Sequence, residues 1–129
     1  MSEIIKTLNF FKNFTASNPA GESEITKAET ALGLCFAPEY REYISLYGAA
    51  SANGHELTGI INSSYLNVTE ATKEAWEINP DVPRTMYVIE DAAIDGIIIW
   101  QDSSGKVYQS SPNFAPHEIA SSLAVYLTL

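Results

Sequence analysis

Apolar residues recur along the first third of the chain at the three-and-four spacing of amphipathic helices, and farther on in short runs separated by turn-forming residues. Ile4, Ile5, Leu8, Phe11 and Phe14, with Lys6 and Lys12 between them, predict a first helix closed by Ser17-Asn18-Pro19-Ala20-Gly21. Ile25, Ala28 and Leu32 carry the same period into a second helix, with Ser23 as its N-cap and Glu24 in the first turn, where the helix dipole favours negative charge. Gly33 ends that helix, because glycine takes the left-handed C-cap conformation without steric cost. Pro38, with its fixed φ and missing N–H, suits the first position of a third helix striped by Tyr40, Tyr43, Ile44 and Tyr47 and stopped by Gly48. In the link between these helices, Leu34 and Phe36 are expected to wedge beneath them, and Cys35 reads as a buried structural thiol.

After Gly48 the segment AASANG reads as a loop, and residues 55–61 as a strand bounded by Gly54 and Asn62-Ser63-Ser64. Asn67 and Glu70 have capping-box spacing ahead of a middle helix marked by Ala71, Ala75, Trp76 and Ile78, which ends before Asn79-Pro80. Three strands follow over 85–89, 97–101 and 106–110, joined by loops of hairpin length at 90–96 and 102–105. Ile97-Ile98-Ile99-Trp100 is apolar at every position, which predicts a central strand covered on both faces. Pro116 opens a terminal helix with Ile119, Leu123, Tyr126 and Leu127 on one stripe. Helices first, then a strand, a helix, a three-strand meander and a closing helix is the order of an α+β domain with an antiparallel sheet of four or more strands.

At 129 residues with 46% hydrophobic content, the chain suits one domain over 1–129 with a real core. Sixteen acidic residues against seven basic ones give a formal charge of −9, which repels phosphate backbones and anionic lipid and attracts basic protein surfaces. Nucleic acid and membrane are therefore not expected as direct partners. One cysteine forms no intramolecular disulfide, the start MSEIIKTLNFF has no basic n-region leading into an apolar segment, and no apolar run approaches the roughly 18 residues of a membrane span. A reducing cytoplasm is the expected compartment. Neither GxGxxG nor GxxxxGK[ST] is present, and no cofactor is expected.

The block ITKAETALGLCFAPEYREYISLYGAA over residues 25–50 resembles the opening motif of the SUKH superfamily, with Ile25, Ala28, Glu29, Leu32, Gly33, Pro38, Tyr40 and Gly48 in the matching places. Gly54, Glu56, Leu57, Gly59 and Ile60 resemble the family's first-strand element, and Gly96, Trp100, Asp102, Gly105, Val107 and Tyr108 its later strand pattern. The resemblance covers about two-thirds of the chain in the family's order. It implies an α+β domain that is not an enzyme. Many bacterial members look like immunity proteins that neutralise a polymorphic toxin, often a nuclease, and the superfamily also includes a fungal cell-wall assembly regulator family. By the same resemblance Glu29, Gly33, Pro38, Gly48, Gly59 and Gly96 are structural motif positions, with Glu29 placed to anchor the following turn by hydrogen bonding.

Cys35 lacks a neighbouring base in sequence, and His55 and His117 lie far apart with no HExxH and no second cysteine, so neither a nucleophile nor a metal site is expected. Glu90, Asp91 and Asp95 crowd one loop without EF-hand spacing. An acidic face with apolar anchors instead complements a basic substrate cleft, with Glu70, Glu74, Trp76 and Glu77 of the middle helix and Glu90, Asp91 and Asp95 as the candidate partner-binding surface. The leading expectation is an immunity protein that occludes a cognate toxin domain with a basic surface. The alternatives are a scaffold or regulatory module of the same fold, and a small-ligand binder or enzyme using the 90–95 loop.

Overall fold

The computed structural model describes residues 2–63 and 65–129. Its five helices and two antiparallel sheets make an α+β fold. Helix α1 (Glu3–Phe10) buries Ile4, Ile5 and Leu8 and then stops, because the chain turns extended at Phe11. The helical period predicted through Phe14 is broken there: Thr15–Ala16 forms strand β1, paired with Ala50 and Ser51. Phe14 keeps its apolar contact by packing edge-on against Tyr47 at 4.9 Å, so an extended residue satisfies the same burial pattern.

Helix α2 (Glu22–Leu32) begins on Gly21 rather than Ser23, which lies inside the first turn. Glu24 takes over the capping by accepting the Gly21 N–H at 2.9 Å. Gly33 at φ 68° closes the helix, its N–H bonded to the Glu29 and Thr30 carbonyls. Helix α3 (Pro38–Tyr47) starts on its proline and ends at Gly48. A Cβ on Gly48 would lie 2.0 Å from the Asn18 carbonyl oxygen, and one on Gly59 would lie 1.9 Å from the Gly48 carbonyl oxygen. Three chain segments therefore meet backbone to backbone at this point. In the link between α2 and α3, Phe36 is buried edge-on against Tyr40 and Tyr87 while Leu34 is half-buried. Cys35 is exposed, not buried as its neighbours suggested, because alternation along an extended link turns it away from Phe36.

The segment read as a loop after Gly48 is a hairpin. Strand β2 (Ala50–Ala52) turns through Asn53 and Gly54, both at positive φ, into β3 (His55–Glu56). Asn-Gly is the preferred chemistry for such a two-residue turn. The strand expected over 55–61 ends at Glu56, since Thr58 leaves the first sheet and bonds to a strand of the second: its N–H donates to Ile89 O and its hydroxyl to Val88 O. With that proton committed, Tyr40 donates its own to Thr58 Oγ1 at 2.9 Å. Tyr43 donates to Thr58 O and accepts from the Ala50 N–H, so two buried tyrosines of α3 join the sheets.

Helix α4 (Val68–Ile78) is capped by Asn67, whose side chain accepts from the Thr69 and Glu70 N–H groups. The second sheet is the meander β4 (Tyr87–Asp91), β5 (Ile98–Gln101), β6 (Val107–Ser111) and β7 (Phe114–Ala120). Ile98, Ile99 and Trp100 of β5 are buried, as the apolar run predicted, and the polar Gln101 is buried with them, while Ile97 lies half-buried before the strand. The terminal helix predicted from Pro116 is corrected to this fourth strand, where proline is tolerated because an edge strand has one row of N–H groups unpaired. Only Leu123–Leu127 forms a helix, α5, capped by Ser122. Ile119 fits the helical stripe and an alternating strand equally well, and that ambiguity misled the period.

Candidate partner-binding groove

The carboxylates that the sequence groups together are sorted by the fold into two sets. Glu90 is buried in β4, where Oε1 accepts from His55 Nδ1 at 2.8 Å and from the Tyr126 hydroxyl, and Oε2 accepts the Glu56 N–H at 3.0 Å. It is withdrawn from the candidate surface. Burial and the adjacent carboxylate push the Tyr126 phenol well above its ordinary range, so it stays a hydrogen-bond donor. Glu29 likewise turns inward, taking the Phe36 N–H on Oε2 and Arg41 on Oε1. Trp76 is buried too, its indole N–H donating to Met86 O at 3.1 Å and its ring covered by the Arg84 guanidinium at 5.1 Å. It is a core residue of α4 and not an exposed anchor.

Glu70, Glu74, Glu77, Asp91 and Asp95 are exposed. Two of them, Glu74 and Asp91, line one groove of about 200 Å³ between α4 and the β4–β5 hairpin. Its floor is apolar, made by Ala71 and Ala75 of α4 with Val88 and Ile98 of the sheet, and Ile78 stands exposed beside them. Helical spacing of 71, 74, 75 and 78 places these α4 residues on one face. Glu56 and the half-exposed Tyr65 complete the rim. Gly96 at φ 68° closes one end, pressed so near the β6–β7 turn that a Cβ would lie 2.8 Å from Pro112 Cγ. Among the described lining residues none is basic. The Tyr65 phenol reports the resulting field: it is raised by desolvation and further by the negative charges of Asp91, Glu56 and Glu90.

The remaining predicted residues do not converge on this groove. Glu77 faces a shallow concavity on the other flank of α4 with Lys73 and Arg84, and Asp95 sits in the β4–β5 turn at φ 54°. Ile94 of that turn is exposed as well. Glu56, Tyr65 and Ile98 are not part of the candidate surface read from the sequence, because they reach the groove from separate elements that no local pattern joins. Among the described residues no group of three His, Cys, Asp or Glu side chains is arranged to hold a metal ion. His117 lies exposed on β7, apart from the His55–Glu90 pair. Among the described residues no helix is long and apolar enough to cross a membrane. The groove thus sets an apolar floor beside an acidic rim, with no basic side chain among the described lining residues.

No curated protein matches the chain. The SUKH_5 family model, described as SMI1-KNR4 cell-wall, matches residues 1–117, which include every residue of the groove and the inward-facing Glu29 and Glu90. The chain belongs to this family of the SUKH superfamily.

Proposed function

We propose that this chain is an immunity protein that binds a cognate polymorphic bacterial toxin domain, of nuclease type, and blocks it by stoichiometric occlusion without catalysis. The observation that carries this reading is the groove with an apolar floor and Glu56, Glu74 and Asp91 on its rim, in a chain of net charge −9. A nuclease cleft presents basic groups to hold phosphate. An acidic groove competes for those groups, gains association rate by electrostatic steering, and draws affinity from the apolar contacts it desolvates. The exposed Tyr65, Ile78 and Ile94 supply apolar anchors of the kind that dominate interface energetics. Such a protein works in the cytoplasm of the cell that makes the toxin.

The family's description refers to the cell wall, and this favours one alternative: a non-enzymatic regulatory module that uses the same groove for an endogenous basic protein. Co-expression with a nuclease-type toxin domain from the same genome, chosen as the proposed cognate, separates the two. Immunity predicts survival of the host and a one-to-one complex by light scattering. A folded chain that neither rescues growth nor binds that domain contradicts it.

A further inference from the structure

We propose that the groove is an arginine-recognition site, and that a single arginine side chain of the partner inserts between α4 and the β4–β5 hairpin. This rests on the binding role given to the groove above but specifies its chemistry. Three features select the occupant. The floor of Ala71, Ala75, Val88 and Ile98 is apolar and of small side chains at the helix side, which suits the methylene stem of a long basic residue. The rim carries Glu56, Glu74 and Asp91 with no basic residue among the described lining, and none of the three forms an ion pair among the described residues. Tyr65 offers a half-exposed aromatic ring at the same rim.

A guanidinium matches that combination better than an ammonium. Its planar fork donates to two carboxylates at once, its face stacks on a tyrosine ring, and it is more weakly hydrated, so entering a groove floored by hydrocarbon costs less. A cavity of about 200 Å³ accommodates one such side chain rather than a folded segment. Neutralising one carboxylate therefore removes a charge-assisted hydrogen bond, with a loss of about tenfold in affinity.

The test uses the full chain and the probe N-acetyl-L-arginine N′-methylamide, followed by amide chemical shifts, with the citrulline and lysine counterparts at equal ionic strength. The arginine probe is expected to give saturable shifts at Ala71, Ala75, Val88 and Gly96, with citrulline about tenfold weaker or worse and lysine intermediate. Glu74→Gln with Asp91→Asn should abolish saturation while leaving the remaining spectrum in place. Both residues are exposed, and asparagine retains an oxygen to accept the Ala93 N–H that Asp91 now holds at 2.8 Å. Equal shifts from citrulline, stronger binding of lysine, or shifts scattered over the rest of the acidic surface would overturn the inference. The probe is not a toxin, so the two readings fail separately. Toxin rescue without arginine selectivity sinks the arginine site alone, whereas arginine selectivity without rescue upholds the site and sinks the immunity role.

Discussion

Two sets of carboxylates in this molecule share a chemistry and differ in direction. Glu29, Glu39 and Glu90 turn inward and accept from backbone N–H groups of distant segments. Glu39 takes the Leu123 and Ala124 N–H groups at the start of α5 and the Gln101 side-chain amide, fastening the last helix to α3 and to the central strand. Glu90 ties β3, β4 and α5 together through three donors. Glu56, Glu74 and Asp91 instead stand around an apolar groove and form no ion pair among the described residues. The inward set converts charge into fixed geometry, and the outward set leaves its charge available to a partner. Acidity in this chain therefore serves structure at one set of positions and, in the function proposed above, recognition at the other.

Breaking the inward set has the largest expected effect. Glu90→Ala leaves three donors around a buried site without their acceptor and should cost about 3 kcal/mol of stability by denaturant titration. Glu39→Ala strips the start of α5 and the Gln101 amide and should cost about 2 kcal/mol, with α5 the first element to lose hydrogen-exchange protection. Gly59→Ala, which drives a methyl into the Gly48 carbonyl, should cost on the order of 3 kcal/mol for steric reasons alone and acts as a control without charge. By contrast, Glu74→Gln with Asp91→Asn should leave stability within about 0.5 kcal/mol, as exposed substitutions do.

That contrast also marks what the sequence could show. The helical periods and the glycine and proline punctuation gave α2, α3 and α4 closely, because caps and stripes are local. The apolar run at 97–100 likewise announced a central strand. The short elements were hidden: β1 has two residues, the Asn53-Gly54 turn was passed over inside a small-residue stretch, and Pro116 signals a helix start and an edge strand alike. In the candidate surface, Glu90 and Asp91 are adjacent in sequence and opposite in fate, since neighbouring strand residues point to opposite sides. Glu56 joined the groove only through a crossing between sheets that no local pattern encodes.

Two smaller effects sharpen the comparison. Glu77→Gln should change partner association less than Glu74→Gln, because Glu77 faces Lys73 and Arg84 on the other flank of α4. Stopped-flow association at low and moderate salt measures the difference, and equal slowing would mean that total charge rather than the groove governs encounter. Asp102, on the turn between β5 and β6, is raised by desolvation but more strongly lowered by hydrogen bonds from the Ser104 hydroxyl, the Tyr108 phenol and the Ser104 N–H, so its carboxyl lies below the ordinary range. Its contribution to stability is complete above the unfolded carboxylate range, near pH 4, and is lost as pH falls through the lower folded value. The stability gap between the native chain and Asp102→Asn should therefore be constant at neutral pH and narrow on acidification. A gap that widens in acid would contradict this assignment.

The division between holding and proposed binding carboxylates is tested most directly by measuring, on the same samples, thermal stability and affinity for the toxin domain that the chain is proposed to neutralise, in the native chain and in the Glu74→Gln, Asp91→Asn variant. The predicted result is a dissociation constant raised at least about tenfold with an unchanged melting temperature. An unchanged dissociation constant with intact folding would place the partner on another face and contradict the assignment of the groove.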